Sequence, residues 1–312
     1  MFTRRLTVTG ASLLLGALAL AAPVGAQSAP GLIHYMPTLH GPQINDAGTK
    51  GSSTNSPLSY HGGTSDGAAG TVGVEIAPKV YLVFWGSQWT NNDPSGEAAI
   101  LQSFFSNVGA STWNGVVTQY CQGVPSGTTT CSGGTPVGNL AGMLAGTWYD
   151  NGAAAPRHPT QSQLASEAVS AAAHFNNTTA GSNSSVQYVI ATATGNSSSG
   201  FGSRYCAWHS STSSTAGDIA YTNLPYITDA GTSCGANFNG LGANAGITIV
   251  GGHEFAESET DQFPSTGWTD SSGSEIGDKC AWSSKTASES FGSTSFPVQP
   301  LWSNTAGGCS MS

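Results

Sequence analysis

The residues best suited to chemistry lie in one short stretch, GGHEFAESETD, at positions 251 to 261. In zinc peptidases of the HExxH type, two histidines four residues apart on a helix bind the metal, and the glutamate between them activates water. Here Glu257 stands where the second histidine would be. The stretch is therefore either a metal-binding helix with one changed ligand or an acidic, solvated helix face.

Three side chains of this stretch can share one helical face. His253, Glu257 and Asp261 are each four residues apart, so on a helix of about 3.6 residues per turn they project in nearly the same direction. One imidazole and two carboxylates could then meet at a single ion. Glu254 takes the position of the base that activates water in an HExxH helix.

Further ligands are expected outside the helix. Glu275 and Asp278 lie downstream, where zincins with a carboxylate as third ligand take it. His61 and His209 are interpreted first as structural histidines, but one that converges on His253 would supply a second nitrogen. His209 is the better candidate, because a disulfide beside it would hold it in place. Zinc is predicted from the similarity to HExxH helices, but the ligand set is rich in oxygen, which leaves calcium and manganese as alternatives.

The elements that must position these residues alternate between strands and helices. Apolar runs predict strands, and apolar periodicity predicts helices. The predicted strands are 79–85, 186–192, 218–222 at a sheet edge, and 296–302; the predicted helices begin at Glu97, at Gln161 and at Ala245, the last ending near Thr260. No repeat or linker divides the chain. The prediction is a single α/β domain with a mixed sheet, packed helices and a zincin-like active-site helix.

The first residues indicate export. Arg4 and Arg5 precede an almost wholly apolar run at 11–22, and small residues at 24–26 offer a cleavage site. Residues 1–26 are therefore predicted to be a secretory signal peptide. Residues 27–56 lack periodicity and are interpreted as an extended lead-in or a pro-segment, with the domain itself at 57–312.

Composition restricts the partners. Only 8% of residues are charged, and 8 Lys and Arg stand against 17 Asp and Glu, so the basic patch that nucleic acid requires is not expected. No apolar run reaches the roughly 18 residues of a membrane span. A secreted, extracellular protein with a protein or peptide substrate is predicted, and cell-wall polysaccharide is the other partner considered.

The six cysteines indicate disulfide bonds. An even number in an exported chain favours pairing, and no CxxC motif suggests a cysteine metal site. Pairing between neighbours in the sequence is the simplest arrangement, although other pairings remain open. It joins Cys121 to Cys131, Cys206 to Cys234, and Cys280 to Cys309.

Several segments resemble one known family. LSYHGG at 58–63, VYLVFWG at 80–86, CAWH at 206–209, HEFAE at 253–257 and EIGDKC at 275–280 are similar, in order and separation, to segments of the plant EXORDIUM, or phosphate-induced, proteins. The resemblance covers most of the chain from about residue 57. It implies a secreted, cell-wall protein without an established reaction. The short chain and the alanine-rich signal peptide suggest a bacterial member, and its helix has an HExxE motif. Asp261-Gln262 departs from the family's Asn-Pro, which weakens Asp261 as a ligand.

These observations lead to one main hypothesis and two alternatives. The main hypothesis is a secreted, zinc-dependent peptidase in which Glu254 is the base. The first alternative, which the resemblance implies, is a non-enzymatic extracellular protein that binds polysaccharide or a surface partner. The second is a glycosidase built on paired carboxylates such as Glu254 and Glu275.

Overall fold

The computed structural model describes Met1, residues 31–41 and residues 56–312. Apart from Met1, the predicted signal peptide lies outside these residues, as do residues 27–30 and 42–55 of the predicted lead-in. Export and removal of the lead-in therefore stay predictions. Among the described residues, no helix is both long and apolar enough to cross a membrane.

Within the described ranges the chain forms strands and helices with the following bounds. The strands are β1 His34–Pro37, β2 Ser59–Tyr60, β3 Thr64–Ser65, β4 Thr71–Val72, β5 Lys79–Trp85, β6 Cys121–Gln122, β7 Thr135–Pro136, β8 Leu144–Asp150, β9 Val186–Thr192, β10 Tyr205–Ser214, β11 Gly217–Leu224, β12 Trp268–Thr269, β13 Ala287–Phe291, β14 Thr294–Val298, β15 Leu301–Ser303 and β16 Gly308–Ser310. The α-helices are α1 Glu97–Asn107, α2 Gln161–His174, α3 Ala180–Asn183 and α4 Ala245–Thr260.

Six of the strands form one mixed sheet in the order β1-β10-β11-β9-β5-β8. The four strands from β11 to β8 run parallel, whereas β10 is antiparallel to both β11 and β1. The segment that joins the parallel neighbours β5 and β8 contains α1, as such a crossover requires. The segment from β8 to β9, which lies on the other side of β5, contains α2. The remaining strands form short two-stranded ribbons.

Helices cover both faces of the sheet. Alternate residues of a strand point to opposite faces, so Val83 packs with Leu164 and Ala168 of α2 on one side. Leu82 and Phe84 belong to the larger core on the other side, which contains α1 and α4. Helix α4 thus lies between the sheet and the C-terminal ribbons, and its whole length is buried.

The predicted α/β class is confirmed as one mixed sheet with packed helices. The strands at 79–85 and 186–192 and the helix Ala245–Thr260 have the predicted bounds. The predicted edge position of 218–222 is wrong: this segment lies inside β11, which β10 and β9 flank. The predicted strand at 296–302 is two strands, because Pro300, which has no N–H to donate, separates β14 from β15.

All three predicted disulfide bonds are present. They join Cys121 to Cys131, Cys206 to Cys234, and Cys280 to Cys309. Three disulfides are consistent with an extracellular protein. Two of the bridges begin close to residues predicted to act in the site, at β10 and at the turn after Glu275.

The segment before residue 42 takes part in the sheet. Strand β1 pairs antiparallel with β10, and His34 lies directly opposite His209. Met36 is fully buried in the larger core. The indole N–H of Trp282 donates to the backbone oxygen of Pro37 at 2.9 Å. Residues 31–41 therefore pack as an ordered edge of the domain.

Candidate metal centre

Helix α4 carries its acidic residues through the interior of the protein. A helix buried on every side is usually apolar throughout, yet His253, Glu254 and Glu257 are all fully buried. The glycine before them allows this placement: a Cβ on Gly252 would lie 3.2 Å from the ring of Phe104, closer than ordinary packing. The interpretation of this stretch as a solvated helix face is therefore wrong.

One nitrogen of His253 is fixed by a neighbour, and the other points at carboxylates. The side-chain amide of Gln299 donates to the backbone oxygen of Gly277 at 2.7 Å, so its oxygen faces Nδ1 of His253, at 3.2 Å. Nδ1 must then carry a hydrogen. In the neutral ring the lone pair is left on Nε2, the arrangement typical of a metal-binding histidine.

The free nitrogen of His253 faces a first group of ligand atoms. It lies 3.1 Å from Oε1 of Glu257 and 3.8 Å from Oδ1 of Asp278. One ligand atom from each of these three residues lies within 4.8 Å of the other two, which is close enough to hold one ion. The backbone N–H of Asp278 also donates to Oε1 of Glu257, at 3.0 Å.

The turn that carries Asp278 approaches α4 very closely. A Cβ on Gly277 would lie 2.7 Å from Nδ1 of His253 and 2.9 Å from Oε1 of Glu257. A larger residue there would push the turn away from the helix. Gly277 therefore lets Asp278 reach the ligand group, and the disulfide at Cys280 ties the same turn to the C-terminal ribbon.

A second group of ligand atoms surrounds His209 on β10. Its Nδ1 lies 3.2 Å from Oε2 of Glu254 and 3.6 Å from Oε2 of Glu257, and these three residues also meet within 4.8 Å. Its Nε2 lies 3.5 Å from Oε1 of Glu275. His209 therefore lies against the helix, and its imidazole stands between Glu254 and Glu275.

Glu275 lies between His209 and a second histidine, His34, which was not predicted from the sequence. Its second oxygen, Oε2, lies 2.7 Å from Nδ1 of His34 on β1. Burial alone would raise the pKa of Glu275, but the imidazoles of His34 and His209 hold it well below its usual range. Burial would likewise lower the pKa of His34, but the charge of Glu275 outweighs it and raises that pKa to about 9.

The other carboxyl groups of the centre are less well compensated. Burial raises the pKa of Glu254, and the hydrogen bond with His209 only partly offsets it. Burial and the nearby charge of Glu257 also raise the pKa of Asp278 well above its usual range. Burial would lower the pKa of His253, but Glu257 reverses this and raises it to about 10. Without a cation, the centre therefore retains protons that a bound ion would displace.

Several buried ligand atoms have no hydrogen-bond partner. Most buried polar atoms in proteins have one, and each exception needs an explanation. A cation at the centre would supply the missing partner. The clearest cases are Oε1 of Glu254 and Oε2 of Glu257; Nε2 of His253 and Nε2 of His209 contact only the carboxylates described above.

Glu275, a predicted ligand, pairs with His34 and His209 but belongs to neither group of three. Two further residues considered from the sequence also lie outside the groups. Helix α4 ends at Thr260, so the side chain of Asp261 turns to the following loop and accepts the N–H groups of Ser265, Thr266 and Gly267 at 2.6 to 2.9 Å. His61 is exposed and contacts Ser59. Asp261 thus closes a loop, and neither residue belongs to a group that could hold an ion.

The sequence analysis missed His34 and Gln299. His34 lies in the segment read as a lead-in, although the apolar residues around it, Ile33 and Met36, are a weak sign of a strand. Its position opposite His209 depends on pairing between distant segments, which periodicity does not reveal. Gln299 follows a predicted strand and had no local signal at all.

Comparison with known proteins gives no match to a family model, a curated protein or a solved structure. The resemblance to EXORDIUM proteins therefore stays a prediction from quoted segments. The residues of the centre, with their distances and burial, carry the functional argument.

Proposed function

We propose that this protein is an extracellular metal-dependent peptidase whose ion is held by His253, Glu257 and Asp278. The observation that carries the proposal is the buried Nε2 of His253, which faces Oε1 of Glu257 at 3.1 Å and Oδ1 of Asp278 at 3.8 Å while Gln299 fixes the opposite nitrogen. Two carboxylates and the lone pair of one imidazole nitrogen thus converge on one point. A metal-binding histidine must present its free nitrogen in this way.

Zinc is the proposed ion, with manganese or calcium as alternatives. Zinc binds both imidazole and carboxylate ligands, whereas a set dominated by oxygen also accepts the harder ions. When bound, such an ion supplies Lewis acidity that polarises a carbonyl and makes water more acidic. The position on α4 resembles the metal helix of zincins.

Glu254 is proposed as the base that accepts a proton from the attacking water. It follows His253 directly on α4, and its Oε1 is buried without a partner while Oε2 faces His209 at 3.2 Å. Burial raises its pKa from the ordinary 4.5, which moves a carboxylate towards the range in which it can both take and return a proton near neutral pH. His209 orients it, and Glu275 holds His209 from the other side.

The substrate proposed is an extended peptide, which must reach the centre from the side of Asp278. The side chain of Asp278 is 11% exposed, whereas those of His253 and Glu257 are fully buried. The turn at 275–280 therefore forms the thinnest cover over the centre. Its displacement would open a coordination position towards solvent.

The burial of the centre also favours a second candidate function. An ion enclosed on all sides would only fasten the 275–280 turn to α4, as in a non-enzymatic extracellular protein that binds polysaccharide or a surface partner. Sugar stacking has little support, because Tyr149 is the only exposed Trp, Tyr or Phe among the described residues. A surface partner is thus the better form of this alternative.

Metal content is the first test. Elemental mass spectrometry of the purified, disulfide-bonded protein should show bound zinc, and His253→Ala should lose it. His61→Ala changes an exposed histidine outside the centre and should keep the metal. A wild-type protein that folds but binds no divalent ion would reject the proposal.

Peptide hydrolysis then separates the two candidates. Wild-type protein loaded with metal should cleave an unfolded protein substrate, and Glu254→Gln should lose at least about 100-fold in rate while keeping its metal, because general-base catalysis contributes about that much. Full activity in Glu254→Gln would remove this residue from the mechanism. Metal binding without any hydrolysis would support the non-enzymatic alternative.

A further inference from the structure

The two oxygens of Glu257 serve different neighbours. Oε1 faces His253 at 3.1 Å and accepts the N–H of Asp278, so it belongs to the proposed metal site. Oε2 points the other way, lies 3.6 Å from Nδ1 of His209, and is buried with no hydrogen-bond partner. A carboxylate whose oxygens face two groups of ligands is suited to bridge two ions.

The group on the Oε2 side is complete in itself. His209, Glu254 and Glu257 each offer a ligand atom within 4.8 Å of the others. The ring of His209 is held as that of His253 is: one nitrogen faces the ligand group, and the other faces a polar partner, here Glu275 at 3.5 Å. Both histidines thus have the second partner that metal-binding imidazoles usually have.

His209 is also held by elements that differ from those holding His253. It lies on β10, between β1 and β11 in the sheet, shortly after Cys206, whose disulfide to Cys234 anchors the strand. His253 depends instead on α4 and on Gln299. The two groups can therefore be disrupted one at a time, with Glu257 as the residue they share.

The charges of the centre leave room for a second cation. Glu254, Glu257 and Glu275 are fully buried and the side chain of Asp278 is only 11% exposed, so one divalent ion compensates only half of their charge when all four are ionised. A second divalent ion beside His209 would compensate the other half.

We propose that His209, Glu254 and Glu257 form a second divalent-cation site, bridged by Glu257 to the ion at His253 and Asp278. The proposal rests on the proposed function for the first ion. Because the second ion would bind the carboxylate of Glu254 through the side that faces His209, and so withdraw the negative charge that the base needs, its occupancy inhibits hydrolysis. The protein then needs one ion for activity and is inhibited by excess metal. The second ion binds more weakly, because it must share Glu257 with the first and approach its positive charge.

Metal stoichiometry tests the second site without an activity assay. Protein stripped with a chelator is dialysed against increasing Zn²⁺, and bound zinc is measured by elemental mass spectrometry. Wild type and His61→Ala should reach two ions per chain in two steps. His209→Ala should keep only the tighter ion, Asp278→Asn only the weaker one, and Glu254→Gln, which preserves the shape of the side chain, should weaken the second step at least about tenfold.

Electron paramagnetic resonance places the second ion. Ions in two-metal sites lie about 3.5–4 Å apart, so the spins of two Mn²⁺ ions that share Glu257 should couple, and the signal should change shape as the second equivalent binds. An uncoupled second equivalent would place that ion elsewhere and overturn the proposal. Near-ultraviolet circular dichroism of each variant confirms that the fold is kept.

The outcomes separate this proposal from the function on which it rests. If the wild type binds only one ion per chain, and Asp278→Asn binds none, the second site is overturned and the peptidase proposal stands. Loss of the same single ion in both His209→Ala and Asp278→Asn would also overturn it, because the two groups would then be one site. No binding by folded wild type would reject both proposals.

Discussion

Buried carboxyl groups occur in two settings in this protein. In the centre, Glu254, Glu257 and Glu275 face imidazoles, and some of their oxygens have no hydrogen-bond donor. Away from it, Glu97 and Glu259 face amide groups: both oxygens of Glu97 accept the N–H of Ile227 at 3.0 and 3.1 Å, and the amide of Asn114 donates to Glu259 at 3.1 Å.

The difference shows what burial does when it acts alone. Burial raises the pKa of Glu97 to about 8 and that of Glu259 well above its usual range, so these groups tend to stay protonated and neutral. Glu275 is equally buried, yet two imidazoles keep it charged. A buried carboxyl group by itself is therefore no sign of a metal site. The informative feature is a buried carboxylate that faces Nε2 of a histidine whose Nδ1 is fixed by another residue.

The sharpest test of the comparison uses two glutamates on the same helix. Glu257→Gln should lose bound metal completely, because the ligand charge disappears, whereas Glu259→Gln should retain it, because that group is already neutral. Elemental mass spectrometry on both variants measures the difference. Equal metal loss in the two would show that the distinction between the settings is wrong.

The dependence of stability on pH should have opposite signs in the two settings. Glu97 ionises near its ordinary pKa of 4.5 in the unfolded chain but near 8 when folded. Between these values the unfolded chain binds fewer protons, so the free energy of unfolding falls as pH rises, by at most about 1.4 kcal/mol per pH unit. The lowered pKa of Glu275 acts oppositely: its contribution is present above its ordinary pKa and is lost as pH falls.

Denaturant unfolding at a series of pH values measures this contrast. Relative to wild type, Glu97→Gln should remove the loss of stability between about pH 4.5 and about pH 8, because an amide does not titrate. The curves should differ little below that range, where the carboxyl is protonated in both states. Parallel curves for wild type and variant across the whole range would contradict the assignment of a raised pKa to Glu97.

Much of the framework was predictable from the sequence, and the reason is local. Strand 79–85 and helix α4 follow from uninterrupted apolar patterns, and the disulfides join cysteines that are neighbours in the sequence. Strand β10 has Ser or Thr at 210–214, so its second half lacks the apolar pattern that predicts a strand. Without β10, β11 looked like an edge strand.

The candidate site was predictable only where its residues share an element. His253, Glu254 and Glu257 follow from helical spacing, but Asp261 does not extend the series, because α4 ends before it. The positions of His34 and Gln299 depend on pairing and loop packing between distant parts of the chain. No local pattern specifies such contacts.

Removal of metal should destabilise only proteins with an intact centre. A ligand that binds the folded state alone, at about 1000 times its dissociation constant, adds about 4 kcal/mol to the free energy of unfolding. A chelator should remove that contribution from wild type and from Glu259→Gln, and should leave Glu257→Gln unchanged. Denaturant unfolding with and without chelator measures the change in the free energy of unfolding. An unchanged free energy of unfolding for metal-loaded wild type after chelation would contradict a bound ion.

The smallest effect is expected at a residue that supports a ligand without touching the ion. Gln299→Met removes the amide that fixes Nδ1 of His253. Loss of such a partner costs about 10–100-fold in metal affinity, or about 1.4–2.7 kcal/mol. Gln119→Met, which changes a half-buried glutamine hydrogen-bonded to Ser303, is the matched control for competition titrations. Equal affinities in the two variants would leave Gln299 with a packing role only.

The disulfides at Cys206 and Cys280 have a consequence for how the protein is produced. Each begins beside a segment that carries a ligand, His209 in one case and Asp278 in the other. In a reducing compartment these bridges do not persist, and neither segment is then fastened against α4. Material made in a reducing cytoplasm would be a poor sample for metal assays even if its helices formed. Oxidative folding, verified by the absence of free thiols, is therefore the starting point for every metal assay on this protein.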